Sequence, residues 1–189
     1  MPRIAQRGFD MPASPIRRLM PYAEKAMERG VQILHLNIGQ PDLASPPQYW
    51  DAIRNCDLKV LEYSHSAGMA PVRRRLLRHY AELGIDVTMD QLIVTTAGSE
   101  ALMFAMTAIT DPGDEVIVPE PMYANYIGFA TAVGAKVVPI TTRIEDGFRL
   151  PGIEEFASKI TPKTRAIVIC NPNNPTGAVY TRIQLEALR

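Results

Sequence analysis

Apolar positions along the chain fall into two alternating kinds of segment. Short continuous runs occupy Gln91 to Thr96, Glu115 to Val118, Lys136 to Ile140 and Arg165 to Cys170. Runs of this length between turn residues predict buried strands. Between them, apolar residues recur at helical spacing. Pro71 opens a helix with Val72, Leu76, Leu77, Tyr80 and Leu83 on one stripe, and Gly84 closes it. Ser99 to Ile109 is apolar almost all round, which predicts a helix buried on most faces. Met122 to Val133, stopped by Gly134, and Pro151 to Ser158 predict two more. Asp111-Pro112-Gly113-Asp114 reads as a turn. Ahead of these lies an arm to about Asp10. Ser14-Pro15 and Pro21 are helix-start signals, with Gly30 as a stop. Ile33 to Ile38 predicts a short extended segment, followed by a turn at Gly39-Gln40-Pro41-Asp42 and a proline-rich loop at Ser45 to Pro47. Strands alternating with helices predict an α/β fold: a mostly parallel sheet with helices on both faces.

The last residues add one more element. Thr181 and Gln184 form a capping box, and Ile183, Leu185 and Leu188 follow at helical spacing. The chain reaches Arg189 without a helix stop, so these residues are expected to be the front part of a longer fold.

Composition narrows the partners. Twenty basic and twenty acidic residues cancel, which argues against nucleic acid or an anionic membrane as the main partner. No apolar run approaches membrane-spanning length, and Met1 to Asp10 lacks the apolar core of a secretory signal. Cys56 and Cys170 have no metal-type spacing, and Cys170 ends an apolar run, so it reads as a buried free thiol. That usage fits a reducing cytoplasm. His35, His65 and His79 show no ligand spacing, His79 reads as helix surface, and no metal is expected.

Three groups carry candidate chemistry. Ala97-Gly98-Ser99 stands between a predicted strand and a predicted helix. Backbone N–H groups at a helix start carry partial positive charge, glycine permits close approach, and Ser99 adds a hydroxyl, all of which suit a phosphate. The same residues also describe an ordinary N-cap after a strand, which is the commoner role. Asn171-Pro172-Asn173-Asn174-Pro175-Thr176-Gly177 follows the last predicted strand, at the strand end where open α/β sheets bind ligands. Two adjacent asparagines framed by prolines offer donors to an oxygen; a long turn would use the same residue types. Tyr123 follows another strand and has a ring able to stack on a flat ligand, although a lone tyrosine is more often core or surface. Neither the dinucleotide nor the P-loop glycine fingerprint occurs.

These motifs, with others in order, resemble the class I/II aminotransferases of pyridoxal-phosphate (PLP) fold type I, which are similar to aspartate aminotransferase. They are Asn37-Ile38-Gly39-Gln40-Pro41-Asp42, Tyr63-Ser64-His65-Ser66-Ala67-Gly68, Ala97-Gly98-Ser99-Glu100-Ala101, Asp111-Pro112-Gly113-Asp114-Glu115-Val116, and Asn171 to Gly177 followed by Ala178-Val179-Tyr180. The resemblance covers nearly the whole chain after Ser14. It implies that residues 1–47 are an arm and small-domain segment, and that 48–189 begin the PLP-binding large domain. It implies that Ala97, Gly98 and Ser99 hold the cofactor phosphate, Tyr123 stacks on the pyridine ring, and Asn174 donates to its phenolic oxygen. Gly39 would lie near the substrate carboxylate. Tyr63 would reach the phosphate in a partner subunit, which implies a homodimer with shared sites.

The resemblance also implies a reaction: an amino group moved between an amino acid and a 2-oxo acid. The family's Schiff-base lysine, pyridine-pairing aspartate and carboxylate-binding arginine lie downstream of the asparagine-proline motif, beyond Arg189. Ser158-Lys159 only superficially matches the lysine motif and reads as a solvated helix end. No catalytic residue is therefore expected in these 189 residues, and alone they are expected to be inactive. In the family, the strand leading into the phosphate cup pairs only with the missing half, so Gln91 to Thr96 is expected to lack a strand partner here. Two other readings stay open: a PLP lyase, racemase or decarboxylase on the same fold, and a non-catalytic aminotransferase-like binding domain.

Overall fold

Three strands share one sheet, and the middle one, Glu115–Glu120, buries four successive residues and so is apolar on both faces. The computed structural model describes residues 2–14 and 17–189, so the Pro15 half of the Ser14-Pro15 signal lies outside the described residues. In chain order the regular elements are α1 (Gln6–Asp10), α2 (Met20–Met27), α3 (Pro47–Arg54), α4 (Ala70–Glu82), α5 (Gly98–Ile109), β1 (Glu115–Glu120), α6 (Asn125–Val133), β2 (Lys136–Thr141), α7 (Ile153–Lys159), β3 (Thr164–Ile167) and α8 (Arg182–Ala187). The chain divides by contacts into two units, Met1–Gln32 with Ala101–Arg189, and Ile33–Glu100.

The first unit holds the sheet, in the order β2-β1-β3 with every pair parallel. Parallel neighbours need crossovers, and α6 and α7 supply them. Successive β1 side chains point to opposite faces. Val116 and Val118 pack with Tyr126 of α6, and with Leu102 and Phe129 beside them. Ile117 packs on the other face with Ile140, Leu150, Phe156 and Tyr180, and Leu185 and Leu188 close that cluster. Phe156, Ile117 and Ile140 are fully buried. The two crossovers therefore cover opposite faces, as the sequence predicted.

Polar bonds fasten the N-terminal edge of this sheet. Asp114 accepts from the Asp111 amide at 2.8 Å and from Arg165 Nε at 2.8 Å. Its own carbonyl accepts from Lys136 N, Glu115 N donates to the Lys163 carbonyl, and Thr161 donates to Glu115 at 2.6 Å. The Arg165 bond first, and then the Asp111 amide, hold the Asp114 carboxyl below its usual value. Gly134 ends α6 at φ +83°, and a β-carbon there would meet Pro112 at 3.2 Å, so both the turn and the approach require glycine.

The second unit contains α3, α4 and the start of α5. Its α4 presents the predicted stripe, with Leu76, Leu77 and Tyr80 half-buried. Arg73 is the unit's buried residue; its guanidinium donates to the Met89 carbonyl, and its Nε has no protein partner among the described residues. Gly68 takes φ +96° and lies against Val94, where a β-carbon would sit 2.6 Å from the valine Cβ. The same two segments are joined by Val94 N donating to Ala67 O.

Several expectations are corrected. The α5 helix is not buried on most faces: only Met106 is buried, Leu102 and Met103 are half-buried, and Phe104 is exposed, because little of this chain packs on its other sides. Gln91 to Thr96 is not a strand: a 3-10 turn takes Met89–Gln91 and extended backbone follows, and, as the resemblance implied, the segment has no strand partner among the described residues. Ile33 to Ile38 is broken by a turn at Leu36 and Asn37, which lies ahead of the expected turn at Gly39 to Asp42. Pro47 opens α3 rather than closing a loop, since proline suits a first helical turn. Part of the arm, Gln6–Asp10, is helical, with Arg7 donating to the Ala132 carbonyl at 3.0 Å. Helix α6 begins at Asn125 rather than Met122. Cys170 is half-buried rather than buried, because it sits where the strand opens into the loop.

Candidate active site

The C-terminal ends of β1 and β3 are the candidate crevice for a topological reason. The chain leaves β1 toward the face covered by α6 and leaves β3 toward the face that α8 closes. Neighbouring parallel strands whose connections part to opposite faces leave a switch point, where open α/β sheets take ligands. The loop after β1 carries Tyr123; the loop after β3 is Asn171 to Gly177.

Within the second loop the three asparagines divide their work. Asn171 accepts from the Tyr180 amide at 2.9 Å and donates to the Tyr180 carbonyl at 3.5 Å. Asn173 is buried, and its Nδ2 donates to the Pro121 carbonyl at 3.1 Å and to Thr176 Oγ1 at 2.8 Å. Thr176 Oγ1 also accepts from Ala178 N, and Asn173 N donates to the Ala178 carbonyl. Asn174 is exposed and its side chain makes no hydrogen bond among the described residues. The loop is thus closed by two asparagines and presents the third.

The first loop holds its tyrosine from two sides. Tyr123 packs edge-on against Tyr126, with ring centres 5.5 Å apart and planes at 88°. Its hydroxyl accepts from Asn125 Nδ2 at 2.8 Å. Burial, and next the Cys170 thiol beside it, push the Tyr126 hydroxyl up to about 12. Burial raises Tyr180 in the same direction.

The remaining sequence candidates belong to the other unit. Gly98 opens α5 with open space where a β-carbon would be, and Ser99 is exposed beside it. Thr96 N donates to Glu100 Oε2 at 2.6 Å, which settles the amide before the helix and leaves Gly98 and Ser99 outward. Gly39 is exposed with no neighbour at its Cβ position. Tyr63 is fully exposed in a segment where Leu58, Val60 and Leu61 are exposed too. Among the described residues, no cluster of His, Cys, Asp or Glu could hold a metal. Lys136 and Lys163 stand at the sheet's N-terminal edge, away from the crevice, and Lys159 is exposed at the end of α7.

The family model for aminotransferase class I and II matches residues 31–189. This chain belongs to that family. An aspartate/prephenate aminotransferase of Thermus thermophilus is 40% identical over 169 residues, covering 87% of this chain and 44% of the relative. An arginine–pyruvate transaminase of Pseudomonas aeruginosa is also 40% identical, covering 86% and 42%. Among solved structures, an alanine aminotransferase from Pyrococcus furiosus aligns with a TM-score of 0.87 at 34% identity, over 98% of this chain and 48% of that one. The chain spans about half the length of the relatives it matches. The aminotransferase fold is therefore the fold of these residues.

The sequence pointed to Asn174 and Tyr123 but gave no sign of what fixes them. Asn125, Tyr126 and Asn173 had no separate signal. Adjacent asparagines look alike until one turns inward.

Proposed function

We propose that these residues form part of the PLP site of an aminotransferase that moves an amino group between an amino acid and a 2-oxo acid. One observation carries the reading: in a switch-point loop whose other asparagines are spent on the backbone, Asn174 alone is left to face a ligand. The donor set fits PLP. Gly98 and Ser99 offer outward N–H groups and a hydroxyl at the start of a 12-residue helix, a fit for phosphate. Tyr123 offers a braced aromatic ring, and Asn174 a neutral donor for a phenolic oxygen. When bound, the cofactor supplies the electron sink for amino transfer. This chain's part is to bind and orient: Ala97, Gly98 and Ser99 at the phosphate, Tyr123 on the ring, Asn174 at the oxygen and Gly39 beside the substrate carboxylate. The proton-moving lysine is assigned to sequence beyond Arg189, as are the aspartate and arginine partners.

Residues 48–189 are read as the opening of the cofactor-binding domain and 1–47 as an arm with a small-domain segment. Tyr63, fully exposed within an exposed apolar run, supports a homodimer in which a second copy covers it. No helix among the described residues is long and apolar enough to cross a membrane, and a cytoplasmic location is part of the proposal.

The test is borohydride reduction of the full-length protein after incubation with PLP, followed by intact mass and an amino-transfer assay. One covalent cofactor per subunit, with amino transfer dependent on a 2-oxo acid, is expected. A cofactor adduct with turnover in the absence of any 2-oxo acid would move the reading to a lyase or racemase. No adduct would sink it.

A further inference from the structure

We infer that Asn173 is a positioning residue that locks the two site loops together. The inference rests on Tyr123 and Asn174 being cofactor contacts. Asn173 is buried, yet it sits beside the exposed Asn174. A buried carboxamide is stable only when its N–H groups have partners. Here one partner lies in its own loop, Thr176 Oγ1, and the other in the neighbouring loop, the Pro121 carbonyl. Pro121 is two residues before Tyr123. The bond therefore joins the backbone that carries the ring to the backbone that carries the amide.

Without that bond each loop keeps its own anchors. Tyr123 retains Tyr126 and Asn125, and the Asn171 loop retains its bonds to Tyr180. What is lost is the spacing between the two. A flat cofactor held by its face on one loop and by an oxygen on the other depends on that spacing. Asn173 touches no ligand in this scheme. It acts by making Tyr123 and Asn174 one unit.

The experiment is a double-mutant cycle on PLP affinity in full-length protein, titrated into apo-protein that circular dichroism shows to be folded. Asn173→Ala is expected to weaken PLP about 3- to 10-fold, the usual range for coupled neighbours. Tyr123→Ala is expected to cost clearly less in the Asn173→Ala background than in the wild type, by at least about threefold. Thr176→Val removes the bonds inside the loop but spares the bond to Pro121, and it is expected to show no such coupling. Asn173→Ser serves in the same cycle if the alanine variant does not fold. Additive losses, or equal coupling from Thr176→Val, would overturn the brace and leave the PLP site standing. Failure of the wild type to bind PLP would overturn both.

Discussion

The sheet unit and the Ile33–Glu100 unit place their apolar side chains in opposite ways. In the sheet unit, Phe156, Ile117, Ile140 and Val116 are shut away entirely between strands and crossover helices. In the other unit, Leu34, Leu36, Leu43, Leu61 and Tyr63 are all at least three-quarters exposed, and the buried residue is an arginine. The sheet supplies its own cover because parallel pairing forces helices onto both faces. The other unit is organised by one glycine contact and one guanidinium, and its large apolar side chains stand exposed. The candidate residues after β1 and β3 are thus supported by packing and hydrogen bonds within the sheet unit itself.

The largest test of this contrast pairs two truncations. Phe156→Ala is expected to destabilise the full-length protein by about 3–5 kcal/mol, since it empties a fully enclosed site. Leu36→Ser, at a residue 95% exposed, is expected to cost less than about 0.5 kcal/mol. Urea unfolding measures both. A Leu36 loss approaching that of Phe156 would show that the exposed surface is covered in the whole protein. Next comes Gly68→Ala, expected to cost about 2–4 kcal/mol because strain at φ +96° adds to a 2.6 Å clash with Val94. Shortening Val94 to alanine in the same chain removes Cγ2, met at 2.7 Å, but keeps the Cβ, so it should recover only part of that loss in thermal melts. Arg73→Met leaves the Met89 carbonyl without its donor and is expected to cost about 1–3 kcal/mol, read in the same melts.

The smallest effect is one of pH. Burial lifts Tyr126 from 10.0 to about 12 in the folded protein, so folding favours its neutral form. The stability linked to that proton is whole below pH 10 and is lost as pH climbs through about 12. Tyr126→Phe is expected to flatten stability over that alkaline window, measured by unfolding at successive pH values.

Much of this was legible in the sequence, for local reasons. Pro71, Gly84, Gly134 and the Thr181–Gln184 capping box each act through neighbouring backbone, and each works where the sequence placed it. Strand β1 was legible because a run buried on both faces has to be apolar throughout, and the partly buried β2 and β3 were legible from their Val and Ile residues. What failed was non-local. An all-apolar α5 does not say how many of its faces this stretch of chain will cover. The apolar Gln91 to Thr96 looks like a strand from its residues alone; that it stays unpaired among the described residues was anticipated only by the resemblance. In the candidate site the motif was legible, but the division of labour among Asn171, Asn173 and Asn174 was not. That division depends on the Pro121 carbonyl, 52 positions away in sequence from Asn173.

Asp114 and its partners bind the strand starts to one another, whereas both candidate site loops leave from the strand ends. Foundation and working face are therefore separate parts of the same three strands. Exchanging residues 121–124 and 171–177 together is expected to leave the base in register, because the Asp111–Asp114 turn and Arg165 lie outside both loops. A lineage, or an engineer, can change what this sheet holds without renegotiating how it stands.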